Sequence, residues 1–141
     1  MFAGEVDLKT WYKPKIDKKT LKELSKRSDI KGLLDISIFI VALILSGYLC
    51  IQSWGTLWSI PALLLYGNIF YCKIISIQHE TNHETYFKTR ALNKFFYHIT
   101  SLLGGFEAVR WKWSHFHHHT YTIFTHEEVY DSENNSPKPT E

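Results

Sequence analysis

The sequence predicts an all-α, integral-membrane fold: a two-helix transmembrane hairpin followed by cytoplasmic interfacial helices that carry histidine clusters. Three observations support this. Between Asp35 and Lys73 lie 37 consecutive residues without a single Asp, Glu, Lys or Arg. Aromatic residues make up 16% of the chain, with five Trp and eight Tyr, as in chains that sit at lipid–water interfaces. Past the uncharged run, apolar residues recur at helical spacing.

Residues 1–32 carry nine Lys/Arg against five Asp/Glu and read as a basic cytoplasmic arm, with Pro14 breaking any early helix. Asp17–Lys31 has the composition of a polar helix at the surface. As one helix the 37-residue run would extend about 55 Å, far beyond a hydrocarbon core of ~30 Å. Two passes fit: residues 33–51, a turn at 52–56 containing Gly55, and residues 57–77. Pro61 falls in the opening turns of the second pass, where a missing N–H costs little. Trp54 and Trp58 belong at the far interface and Tyr71 nearer the other. The arm is net +4, the turn is uncharged, and Lys73, Lys88, Arg90 and Lys94 follow the second pass, so both hairpin ends are expected in the cytoplasm.

Ala91–Leu103 places Leu92, Phe95, Phe96, Ile99, Leu102 and Leu103 at helical spacing and stops at Gly104-Gly105. It is too short to span and reads as an interfacial helix. Residues 132–141 are polar, contain two prolines and are expected to be disordered. Residues 33–131 thus form the one structured unit. A length of 141 residues suits a single domain, and a net charge of +2 gives no bias toward nucleic acid. Cys50 and Cys72 are not spaced as a metal pair and are expected to be packing residues.

Six of the eight histidines lie in two clusters. In His79-Glu80-Thr81-Asn82-His83, the two imidazoles stand one turn apart on a helix that continues past the second span. In His115-Phe116-His117-His118-His119, His115 shares a face with His118 at i+3 and His119 at i+4. An imidazole-only donor set suits iron, copper, nickel or zinc, and the absence of Cys ligands argues against iron–sulfur and structural zinc sites. The bland alternatives are satisfied polar histidines or an interfacial cationic patch. Two clusters on one side of a membrane hairpin, 31 residues apart, argue against both.

HETNH and WSHFHHHTYT resemble the H-x-x-x-H and H-x-x-H-H boxes of the membrane fatty acid desaturases, and HETYFKTRALNKFFYHI resembles the segment after the first box in bacterial members. The likeness covers roughly Leu33 to Thr125. It implies half of a four-helix core, a cytoplasmic di-iron centre, O₂ as oxidant, a fatty acyl lipid substrate and an external electron donor of the cytochrome b5 or ferredoxin kind. Carried over by position, it makes His79, His83, His115, His118 and His119 the metal ligands and names no catalytic residue beyond them. His117 falls outside the motif's spacing, and His98 and His126 lack motif support. Imidazole-rich iron is electron-poor enough to activate O₂ against an unactivated C–H bond. Hydroxylase, ketolase and decarbonylase chemistry use similar boxes; the sequence around the boxes favours desaturation.

The family's third histidine box and second helical hairpin have no counterpart in these 141 residues. The resulting expectation is an N-terminal portion of such an enzyme, catalytically silent alone. Two other readings compete. His79-Glu80-x-x-His83 also satisfies the H-E-x-x-H pattern of zinc proteases, with Glu80 as general base and Glu107 as third ligand. A small membrane protein that binds metal without catalysis is the other.

Overall fold

The computed structural model describes residues 15–121, together with the backbone at 125–126 and 129–130. Five helices dominate: α1 (Lys18–Leu24), α2 (Asp29–Ser53), α3 (Ser59–Asn82), α4 (Arg90–Gly104) and α5 (Ala108–Tyr121). A two-residue antiparallel ladder, β1 (Thr125–His126) with β2 (Val129–Tyr130), follows them and was not anticipated from sequence. Among the described residues the architecture is all-α apart from this ladder. The expected disorder of residues 132–141 lies outside the described residues.

The polar stretch before the hairpin does not form one helix. Asp17 caps α1 by accepting from the Thr20 N–H at 2.9 Å, and α1 ends at Leu24. Ser28 then caps α2, its hydroxyl accepting from Lys31 N–H. The first long helix therefore starts at Asp29, ahead of the apolar run. At 25 and 24 residues, α2 and α3 extend about 37 and 36 Å, enough for a ~30 Å hydrocarbon layer. Only 11% of each apolar window is buried within the molecule, so neither is the core helix of a soluble domain. They are built to be covered by lipid or by other membrane helices.

The turn between them closes without charge. Gly55 takes a φ of 79°, a left-handed backbone that glycine adopts without strain. The carbonyl of Ser53, at the end of α2, accepts from the Thr56 and Ser59 hydroxyls at 2.7 and 2.6 Å. Trp54 and Trp58 stand exposed beside it, at the end expected for an interface. At the opposite end, Asp35 and Lys73, the two charges that bracket the apolar run, meet at 2.6 Å. The Tyr86 phenol also donates to the Asp35 carboxylate.

A small core sits above this pair. Ile36, Ile77 and Phe87 are buried, with Phe39, Tyr86, Leu92 and Phe96 packed against them. Phe87 occupies the space a side chain at Gly32 would need: a Cβ there would lie 2.6 Å from its ring. Asn93 fixes the same residue through its backbone, accepting from Phe87 N–H at 3.0 Å and donating to Phe87 C=O at 2.9 Å. Asp29 accepts from the Thr89 N–H and hydroxyl at 2.8 and 2.7 Å, tying the start of α2 to the N-cap of α4.

α4 packs along the C-terminal half of α3, burying Asn93, Tyr97, Thr100 and Ser101 against a face that includes Ile74, Ile77, Gln78 and Thr81. Its apolar residues Phe95, Ile99, Leu102 and Leu103 point outward, Leu102 being 80% exposed. Asn93, Thr100 and Ser101 lie inside while Phe95, Ile99, Leu102 and Leu103 lie outside, so α4 does not sort its residues as a water-soluble amphipathic helix does. Gly105, at φ 74°, ends α4 while Phe106 N–H returns to Ser101 C=O at 2.8 Å.

Asn93→Leu should expose this dependence. It strips the side-chain partner from both the N–H and the C=O of the buried Phe87, and each orphaned group costs about 1–3 kcal/mol. A large fall in the thermal unfolding midpoint is expected in lipid nanodiscs, and an unchanged midpoint would show that the clamp is not needed.

Candidate metal centre

Helix periodicity builds this site. On α3, His79 and the C-cap residue His83 lie one turn apart; on α5, His115 and His119 do the same. The two pairs face one another. One ligand atom from each of the four histidines falls within 4.8 Å of all the others. His115 is central and 4% exposed. Its Nε2 lies 3.1 Å from Nε2 of His83 and 3.1 Å from Nε2 of His119. The His79 ring stands 4.5 Å from that of His115 and 4.8 Å from that of His83.

This spacing fits a metal ion. Imidazole nitrogens about 2.1 Å from one ion and at right angles to each other lie about 3.0 Å apart. Ligation also needs neutral imidazole. Burial holds the His83 imidazole below its ordinary pKa, with the neighbouring His79 and His119 acting in the same direction and Glu80 against it.

Of the five histidines singled out from the sequence, four converge and His118 does not join them. Its ring lies 5.8 Å from that of His115 and 5.6 Å from that of His119. The reason is angular: consecutive residues on a helix point about 100° apart, so His118 and His119 cannot both face the α3 pair. His98, exposed on α4, touches Tyr97 and is not part of the cluster. His126 lies on β1.

The carboxylates behave differently from the zinc-protease expectation. Glu107 is the N-terminal cap of α5, accepting from the Val109 and Arg110 N–H groups, and stands outside the histidine group. The Glu80 carboxylate accepts from the Thr85 hydroxyl at 2.6 Å. With His79, His83, His119 and Lys112 it lines an open pocket of about 650 Å³ beside the cluster. Cys50 and Cys72 are free thiols away from the histidines.

Sequence reading did not give Trp111 a role. Its indole lies flat on His115, with centroids 4.5 Å and planes 14° apart. The available signal was its position one turn before His115, on the face that also carries His119. The Asp35–Lys73–Tyr86 group was missed too, although two of its members mark the ends of the uncharged run.

The profile of the fatty acid desaturase family matches residues 58–140, more than half of the chain. No curated protein and no solved structure matches it. The matched stretch contains α3, α4, α5 and every histidine of the cluster. Histidine-box sequence, two membrane-length helices and a metal-compatible imidazole cluster agree, and the chain belongs to the fatty acid desaturase family.

Proposed function

We propose that the chain is a fatty acid desaturase-like membrane oxidoreductase, in which His79, His83, His115, His118 and His119 hold iron for O₂-dependent insertion of a double bond into a fatty acyl chain. The observation that carries this is the convergence of His83 and His119 on the single Nε2 of His115, at 3.1 Å each. Two iron ions, when bound, would supply the redox chemistry that reduces O₂ to two waters with two hydrogens from the acyl chain, two electrons from a cytochrome b5- or ferredoxin-like donor and two protons from solvent.

The chain's own residues prepare the site. His115, buried under Trp111, keeps water from one side of the cluster. His83, held toward its neutral form, offers a lone pair at neutral pH. His118 is assigned to the second ion, because its direction on α5 differs from that of His119 by about 100°. Glu80, held by Thr85, lines the pocket without ligating. Residues 33–131 form the desaturase-like unit, 1–32 a basic cytoplasmic arm and 132–141 a polar tail. The zinc-protease reading is less well supported, since Glu107 caps α5 and stands outside the histidine group.

Metal analysis tests the ligand set. His79→Ala and His115→Ala should each lower Fe²⁺ or Zn²⁺ affinity by at least about tenfold, measured as metal retained by the purified chain after dialysis. His98→Ala and Glu80→Gln should leave retention unchanged. Equal retention in His115→Ala and the parent chain would remove the assignment.

The charge distribution supports a topology with both hairpin ends and the histidines in the cytoplasm and the 52–56 turn on the other side. In a Cys-free background, Ser53→Cys and Ser132→Cys should react with an impermeant maleimide from opposite membrane faces. Reaction of both from one face would contradict the hairpin.

A further inference from the structure

The helices fix the Cβ of each histidine but not its ring plane, because the terminal torsion of a histidine is broad and roughly two-fold. The ring plane matters most at His115, whose single Nε2 makes both 3.1 Å approaches. Turning that ring about its own axis would carry Nε2 away from His83 and His119 together. Trp111 lies flat against the ring, at 4.5 Å and 14°, closer and more nearly parallel than the His118 ring at 5.8 Å and 25°. Trp111 is itself held in place: Tyr97 and Phe106 flank it at 6.5 and 6.2 Å, and the Tyr97 hydroxyl is fixed on the Ala108 carbonyl. The indole also meets His79 edge-on at 6.3 Å, so it touches a histidine from each of the two helices. Indole N–H is a donor only, so Trp111 does not ligate a cation through it.

We propose that Trp111 is a positioning residue of the histidine site. Its indole face sets the ring plane of His115, so the imidazoles are arranged for a divalent cation before one binds. This rests on the ligand assignment above. The indole plane works as a stop: rotation of His115 out of the stack drives the imidazole edge into the indole face. A flat aromatic ring of smaller area keeps the stop, and a branched aliphatic side chain fills the volume without providing it. Groups that orient metal-ligating histidines are typically worth 10–100-fold in metal affinity.

Co²⁺ titration of the full chain in nanodiscs, followed by the visible ligand-field bands, separates the alternatives. The wild-type chain is expected to bind Co²⁺ with resolved bands. Trp111→Phe should bind within about threefold of it with the same band positions, and Trp111→Leu about 10–100-fold more weakly, with broadened bands. Thermal unfolding of the metal-free variants, run alongside, identifies a role limited to packing. Trp111→Leu matching the wild type in affinity and spectrum would overturn the proposal. So would equal loss of affinity in the Phe and Leu variants, matched by equal loss of metal-free stability. Absence of Co²⁺ binding by the wild-type chain would overturn the ligand assignment itself, and this proposal with it. A measurement that needs no folded variant uses the wild-type chain labelled with 5-fluorotryptophan, in which five resonances are expected. Co²⁺ should shift or broaden the Trp111 resonance more than the others, and a larger effect at another tryptophan would count against the stacked geometry.

Discussion

The ion pair between Asp35 and Lys73 sets the register of the two long helices, and the rest of the structure inherits it. These residues are the charges that end the uncharged run on either side, and they close at 2.6 Å. A slip of one turn along α2 or α3 would leave an unpaired charge beside the apolar layer, where charged groups are expensive and normally paired. Tyr86 donates to the same carboxylate from the loop just beyond His83. One carboxylate therefore joins α2, α3 and the segment that leaves the first histidine pair.

From that register the histidine site follows by helix geometry. His79 lies six residues beyond Lys73, about 9 Å further along the same helix. The chain then reverses through Glu84, a non-glycine residue at φ 56°. Arg27 donates to the Glu84 carbonyl at 2.7 Å and Arg90 pairs with its carboxylate at 2.8 Å, which offsets the strain of that turn. Phe87 anchors the loop under Gly32, and α4 returns along α3 with its polar side inward. Asn93 makes that side necessary, because its amide satisfies both the N–H and the C=O of the buried Phe87. The apolar face left outside matches a helix that meets lipid or a further membrane helix, as the exposed faces of α2 and α3 do.

Much of this was legible in the sequence, for identifiable reasons. An uncharged run too long for one pass and broken at Gly55 permits little besides a hairpin. The i,i+4 spacing of His79 with His83 and of His115 with His119 puts each pair on one face whatever the tertiary fold. What stayed hidden depends on contacts between distant residues. The start of α2 at Asp29 is fixed by the Ser28 cap and by the contact with Thr89, 60 residues away. The burial of Asn93 reverses what its polarity suggests. The H-x-x-H-H spacing allows both His118 and His119 to approach His115, and only the opposing face of α3 selects His119. The stacking of Trp111 required the two helices to be brought together first.

The central claim is that one register brings imidazoles from α3 and α5 onto one metal ion. X-ray absorption at the iron edge of the Fe²⁺-loaded chain reads this directly, through the multiple-scattering pattern of coordinated imidazole. The account predicts a first shell dominated by imidazole nitrogen at about 2.1 Å, reduced when either His83 or His119 is replaced by alanine. A first shell of oxygen alone, or one unaffected by those replacements, would contradict it.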